Sequence, residues 1–335
     1  MSKLRVGVIG VGKMAEICHL PILADLPQVQ LVAFCDTSDE NLAARGDQYD
    51  VQRRYTSHYD LFDNESLDAV CIFIPPYAHT DAEIIAAERG IHVFVEKPPA
   101  LTMQKAHEAN AAIQQAGIIS AVGFNRRYSI SGQAARAMLD DDCVVQALIH
   151  RLHGSKALAW WWMIEELSGG PFVENTIHSV DLLRYLGAKY LSVTAHAVVR
   201  PDSTEKLDIP LSVCASYTLA GGGVANITTC SALDGFSRQG FLVAAGGDLY
   251  DLADSRLTVN GEEVAVDEPG RSDYRAEFAT FFDAILYEDP SRIRSPYSDA
   301  VKSLAAALAA VESAHNDGIP IDLTQPPYSR PLTAL

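Results

Sequence analysis

Residues 5–15 read Arg-Val-Gly-Val-Ile-Gly-Val-Gly-Lys-Met-Ala. An apolar run, Leu4 to Ile9, leads into Gly10, Gly12 and Ala15 in G-x-G-x-x-A spacing, and an amphipathic stretch follows from Lys13 to Ala24. The first glycine of such a motif permits a tight turn out of a strand. The second lets backbone approach a pyrophosphate, and the small third residue lets helix and strand pack closely. The N–H groups at the helix start then face phosphate oxygens. Glycines also punctuate ordinary turns, so the spacing takes its meaning from the strand before it and the helix after it. Lys13 and Met14 lie inside the loop and join Gly10, Gly12 and Ala15 as candidate cofactor contacts.

The next apolar run, Val29 to Cys35, ends at Asp36, 21 residues past Ala15. A carboxylate there accepts hydrogen bonds from adenosine ribose hydroxyls and repels a 2'-phosphate. The competing reading is a helix cap, since "CDTSDEN" is rich in capping residues. Context favours the cofactor, and NAD over NADP, because no arginine directly follows Asp36.

Strand-like runs continue at Ala69 to Phe73, Ile91 to Val95 and Ile118 to Val122, separated by helical patterns at Asp39 to Gln48, Tyr77 to Glu88 and Thr102 to Ala116. Alternation of this kind predicts a doubly wound parallel α/β sheet. After a helical patch at Ser131 to Asp140 the pattern changes. Runs rich in β-branched and small residues cover Val144 to His150, Leu191 to Val199, Leu211 to Leu219, Gly223 to Cys230 and Gly240 to Ala245, with short strands through Leu257 and Val264. Only one strong helix, about Asn175 to Leu186, interrupts them, which predicts an α+β unit on an open, largely antiparallel sheet. Helices at Tyr274 to Leu286 and Ser298 to His315 close the chain. The expected domains are residues 1–123, a Rossmann dinucleotide-binding domain, and 124–335, a substrate-binding and oligomerisation domain whose last helix is a candidate to pack back on the first.

Two domains suit 335 residues. A net charge of -17 argues against nucleic acid or an anionic membrane as partner, since both require a basic face. The opening apolar run is broken by glycines and Lys13, unlike a signal peptide, and no stretch approaches a spanning helix. Six cysteines stand singly in apolar segments with no Cys-x-x-Cys pair, as expected of thiols in a reducing cytoplasm.

Further candidates cluster in four motifs. "IPPYAH" offers Pro75, Pro76 and His79 to the cofactor and Tyr77 to a substrate. "VEKPP" puts Glu96 and Lys97 at the carboxyl edge of the sheet, where open α/β sheets bind ligands; a surface lysine in a Pro-rich loop is the bland alternative. "GFNRRYS" supplies Asn125, Arg127 and Tyr128 as substrate donors, against the alternative that Arg126 and Arg127 form interdomain salt bridges. "GGPFVENTIH" sets Glu174 and His178 four apart, on one face of a helix, with Asn175 as a substrate contact. That pair admits a metal site, a proton-transfer pair, or a capped helix start with a core histidine. Two ligands are too few for a metal unless His150 or His153 joins them, so no metal is expected.

The chain's three tryptophans, Trp160, Trp161 and Trp162, are consecutive on an expected loop. Trp161 and Trp162 are candidates to stack on the apolar face of a sugar ring, with burial of at least one of the three as the alternative. Asp181, one turn beyond His178, reads as a tie from helix to core.

Taken together, "GVIGVGKMA", "FIPPYAHTDAEIIAAERGIHVFVEKPPAL", "GFNRRYS" and "GGPFVENTIHSVDLLRYLG" resemble the glucose-fructose oxidoreductase / inositol dehydrogenase / MocA (Gfo/Idh/MocA) family across residues 4–187. The resemblance continues in layout through "SPYSDAVKSLAAALAAVESAHNDGIPIDL". It implies a Rossmann domain followed by an open sheet whose face often forms oligomer contacts, with the active site in the cleft between. It also implies a lysine from Glu-Lys-Pro, an acid, and a histidine four residues later: Lys97, Glu174 and His178. Aspartate is commonest where Glu174 stands. The expected activity is NAD-dependent hydride transfer from a secondary alcohol of a sugar, polyol or cyclitol, in a homodimer or homotetramer. A redox-neutral NAD-dependent glycoside hydrolase and a non-catalytic nicotinamide-binding regulator are the alternatives.

Overall fold

The apolar run that opens the chain forms strand β1 (Leu4–Ile9), and the second run forms β2 (Val29–Cys35). The computed structural model describes residues 3–154, 159–253, 255–265 and 272–329. Four more strands complete the first sheet: β3 (Arg53–Tyr55), β4 (Ala69–Ile72), β5 (His92–Val95) and β6 (Ser120–Val122). All pairings are parallel and the order is β3-β2-β1-β4-β5-β6, which reverses direction between β1 and β4. That reversal is the switch point of a Rossmann sheet, where ligands bind at the carboxyl ends of the strands.

The helices between these strands are α1 (Leu20–Asp25), α2 (Asp39–Gln48), α3 (His58–Asn64), α4 (Ala82–Glu88) and α5 (Met103–Ala116). A π-helical turn, Ala15–His19, precedes α1, so the expected single helix is widened at its start. The expected helix from Tyr77 is likewise divided, into a 3₁₀ turn at Pro76–Ala78 and α4.

In the second sheet, β7 (Val144–Leu152), β8 (Tyr190–Val198), β9 (Ser212–Leu219), β10 (Val224–Cys230), β11 (Arg238–Ala245), β12 (Asp248–Ala253), β13 (Arg256–Val259), β14 (Glu262–Glu263) and β15 (Ile321–Asp322) are arranged β14-β13-β12-β11-β7-β10-β9-β8-β15. Only β7 and β10 pair in parallel; the other neighbours are antiparallel. The remaining helices are α6 (Ile130–Met138), α7 (Glu165–Ser168), α8 (Ile177–Tyr185), α9 (Asp273–Leu286) and α10 (Tyr297–His315).

Contacts divide the chain into two compact units. The first comprises residues 1–99, 106–125 and 272–299, and the second 100–105, 126–271 and 300–335. Within the first unit, α9 returns to the Rossmann sheet. Its Phe278, Phe281 and Phe282 recur at helical spacing and join the core with Phe34, Phe73 and Phe94. Phe94 and Phe278 lie 4.5 Å apart between ring centroids.

In the second unit the strands alternate buried and solvent-facing residues, as a sheet covered on one face requires. The covered face packs on α8 and α10. Tyr217 donates its hydroxyl to Ala306 O at 3.0 Å, and Ala195 N–H donates to Ser313 Oγ at 2.9 Å. On the other face Val145, Leu148 and Val224 are exposed.

Candidate active site

At the Gly-rich turn the backbone conformation explains the residue choice. Gly10 has φ +89°, and a Cβ there would lie 2.6 Å from the carbonyl oxygen of Phe73, so only glycine fits. Gly12 is different: a Cβ would meet nothing nearer than the Asn41 amide at 4.0 Å. Its empty side leaves backbone approachable, which fits a pyrophosphate against the loop. Ala15 is buried, whereas Lys13 is exposed and pairs with Glu16 at 3.0 Å, and Met14 is half-buried.

Asp36 binds two backbone amides. Val11 N–H donates to its Oδ2 at 2.9 Å and Ser38 N–H to its Oδ1 at 2.9 Å. A carboxylate has about four acceptor positions, so two are committed to shaping the loop and others stay available for ribose hydroxyls. The capping role itself falls to Ser38, whose Oγ accepts Asn41 N–H at the start of α2.

At the carboxyl end of β5 stand Glu96 and Lys97. Lys97 N–H donates to Glu96 Oε2 at 2.9 Å, and the Lys97–Pro98 peptide is cis. His19, fully buried on the π turn, brings Nε2 to 3.0 Å from Glu96 Oε1. Burial pushes the Glu96 carboxyl up, but the His19 contact, the Lys97 charge and the Lys97 N–H outweigh it and hold Glu96 below its ordinary range. Pro75 is half-buried, Pro76 buried and Tyr77 exposed. His79 is buried, with Nδ1 2.5 Å from Glu83 Oε1. Asn125 donates its amide to Asp273 at 2.8 Å.

The second unit carries the other candidates. Gly169 and Gly170 have φ of +75° and +72°, so the Gly-Gly-Pro turn is a double left-handed corner ending α7. Beyond it, Phe172–Thr176 forms a π-helical stretch that passes into α8. Glu174 is buried within it, and Asn175 and His178 are half-buried. The i→i+5 hydrogen bonds of that stretch widen the turn, so the one-face argument for residues four apart does not carry over unchanged.

Arg127 is bound bidentately by Asp181: Nε to Oδ2 is 2.8 Å and Nη2 to Oδ1 is 2.6 Å. Both residues are buried, and Ser303 Oγ also donates to Asp181 at 2.6 Å. This ion pair lies within the second unit, and Asp181 ties α8 to the core. Arg126 instead donates to Gln239 at 3.1 Å, and Tyr128 is buried. The tryptophans form a 3₁₀ turn, Trp160–Met163. Trp160 is exposed, and Trp161 and Trp162 are half-buried in a T-shaped pair 5.7 Å apart between ring centroids. The Trp162 indole N–H has no partner among the described residues.

Residues 4–124 match the model of an oxidoreductase family described by its NAD-binding Rossmann fold, GFO_IDH_MocA. With Gly10, Gly12 and Asp36 in place at the switch point, the match agrees with the geometry. Over residues 4–124 the chain is thus similar to the Gfo/Idh/MocA oxidoreductase family.

Among similar proteins, scyllo-inositol 2-dehydrogenase (NAD(+)) of Bacillus subtilis is 27% identical over 195 residues, 58% of this chain and 57% of that protein. D-glucoside 3-dehydrogenase of Escherichia coli is 29% identical over 203 residues, 58% of each chain. The chain thus spans little more than half the length of these relatives. Solved structures match more fully in fold. An oxidoreductase from Thermotoga maritima superposes with TM-score 0.84 at 20% identity, covering 96% of this chain and 99% of that one. A putative myo-inositol dehydrogenase from Sinorhizobium meliloti gives 0.78 at 24% identity, covering 96% and 99%.

Sequence reasoning passed over His19, Glu277 and the two π turns. His19 and Glu277 left one signal each, a polar residue among apolar ones in "ICHL" and "AEFATFF".

Proposed function

We propose that this chain is a Gfo/Idh/MocA-type oxidoreductase that transfers a hydride between NAD and a secondary alcohol of a neutral sugar, polyol or cyclitol. The observation that carries the cofactor half is Asp36, pinned by the Val11 and Ser38 amides beside the open backbone of Gly12. Its negative charge disfavours a 2'-phosphate, so NAD is preferred to NADP.

Gly10, Gly12, Lys13, Met14 and Ala15 would hold the pyrophosphate region, Asp36 the ribose, and Pro75, Pro76, His79, Glu96 and Lys97 the nicotinamide side. When bound, the cofactor supplies the hydride acceptor. His178 accepts the hydroxyl proton, a role an imidazole side chain can fill. Lys97 donates a hydrogen bond to the substrate oxygen and offsets developing alkoxide charge. Glu174 orients these groups.

On the substrate side, Tyr77, Asn125, Asn175, Trp161 and Trp162 contact the ring. The half-buried Trp pair and the unmet Trp162 N–H support recognition of a face with C–H and hydroxyl groups. Arg127 and Tyr128, both buried, shape the wall behind them. Residues 1–123 serve as the dinucleotide domain and 124–335 as the substrate domain, with the exposed sheet face as the contact of a homodimer or homotetramer. All six cysteines are free thiols, which supports a reducing cytoplasm. No described helix is long and apolar enough to cross a membrane.

The reading is tested by the reduced nicotinamide formed from a panel of sugars, cyclitols and sugar acids. Release of an aglycone without accumulating reduced cofactor would point to the redox-neutral hydrolase instead.

A further inference from the structure

Among the described residues, the second unit holds a cavity of about 700 Å³ that the proposed reaction does not use. It lies where the end of α8, the start of β8, α10 and the chain after β15 meet. Small-molecule sites span roughly 300–1,000 Å³, so its size is that of a binding site and far exceeds a packing defect. Ala188, Tyr190, Ala305 and Ala306 line it as buried residues and give it an apolar floor. The tyrosine hydroxyls at its wall are committed elsewhere: Tyr190 donates to Val180 O at 3.1 Å, and Tyr328 to the Glu312 carboxylate.

Three cationic side chains, Arg184, Lys189 and Lys302, line the same cavity. Arg184 is fixed in the wall by its Nη1, which donates to Ser303 Oγ at 2.9 Å. Lys189 and Lys302 are exposed and stand at the rim. Two acids share the lining, Asp141 and Asp142, and Arg136 engages Asp141 at 2.6 Å. Positive charge thus gathers here in a chain whose net charge is -17. Arg184, in the last turn of α8, also offsets the negative end of that helix. That role does not extend to Lys189, beyond the helix, or to Lys302, in the second turn of α10.

We propose that this cavity binds a small organic anion, an apolar body seated on the Ala–Tyr floor with a carboxylate or phosphate met by Arg184, Lys189 and Lys302. A guanidinium fork matches the planar oxygens of either head group, and the two ammonium groups add charge that tolerates varied geometry. Every residue invoked lies in the second unit, and none belongs to the groups assigned to cofactor or substrate. The site therefore stands apart from the dehydrogenase reading.

The test uses the cofactor-free full chain and fluorine NMR with three probes: 4-fluorobenzoate, 4-fluorophenyl phosphate and the neutral 4-fluorobenzamide. At least one anion should show saturable line broadening, and the amide should bind at least about tenfold more weakly, the scale of a lost charged hydrogen bond. Lys302→Glu, at an exposed position, should weaken the anion at least about tenfold and leave the urea midpoint nearly unchanged. Ala306→Leu narrows the cavity and should weaken binding without any change of charge; Lys302→Glu keeps the proposal testable if that variant does not fold. No saturable binding by either anion, equal binding of the amide, or unchanged anion affinity in folded Lys302→Glu overturns it. None of these readouts involves turnover, so failure of the dehydrogenase reading would show separately, as no reduced nicotinamide in the substrate panel.

Discussion

The carboxylate of Asp36 accepts the backbone N–H of Val11 at 2.9 Å, which fastens the end of β2 to the Gly-rich turn after β1. Sequence separates the two residues by 25 positions; the parallel pairing of β1 with β2 brings them together. The same group that orders the loop is thus available to read the ribose.

Asp36→Asn keeps the shape and removes the charge. Loss of a charged hydrogen bond costs about 1.5–3 kcal/mol, so Kd for NAD should rise at least about tenfold and the margin over NADP should narrow. Isothermal titration with both cofactors measures each change. Unchanged NAD affinity would remove Asp36 from the cofactor site.

Lys97→Ala and His178→Ala should each lower turnover by at least about a hundredfold, the usual scale for an acid-base group, with NAD affinity nearly retained. Steady-state kinetics beside a cofactor titration separates the two effects. Wild-type turnover in both variants would sink the proton-transfer scheme.

Arg127 and Asp181 form a buried pair, so removing one partner strands a charge. Arg127→Met should cost about 3–5 kcal/mol of stability, and the double variant with Asp181→Leu should recover much of it. Urea unfolding of the three proteins closes this cycle. A small loss in Arg127→Met alone would show that the pair is not structural.

Stability should respond to pH in opposite senses at Glu96 and Glu277. The Glu96 carboxyl is depressed, chiefly by His19 and Lys97 against burial, so its contribution is present above the ordinary carboxylate range and fades as acid passes its folded value. Glu96→Gln should therefore be most costly at neutral pH. The Glu277 carboxyl is raised, by burial and then by Glu96 and Asp273, so its contribution is full below the ordinary range and is lost as pH rises through the folded value. Glu277→Gln should gain on the natural sequence as pH rises above the ordinary carboxylate range. Urea midpoints measured against pH check both signs.

Much of the fold was legible because apolar runs mark buried strands directly. Leu4–Ile9 and Val29–Cys35 match the expected bounds at both ends. The strand Arg53–Tyr55 was not legible: it is short, polar and at the sheet edge, where no apolar face is required. Neither π turn was legible, since an i→i+5 pattern leaves no mark in 3.6-residue periodicity. The Gly-rich turn and Asp36 could be read because their spacing is local. The contact of His19 with Glu96 could not, because only folding brings the π turn after β1 against the end of β5.

The central claim is hydride transfer to NAD from a neutral polyhydroxylated ring. It is tested most directly by incubating the purified protein with sugars, cyclitols and sugar acids, each with NAD and with NADP, and following reduced nicotinamide spectroscopically. Reduction is expected with at least one cyclitol or sugar, with a larger kcat/KM with NAD than with NADP. Preference for NADP, or no reduced cofactor from any compound by a protein that binds NAD, would contradict it.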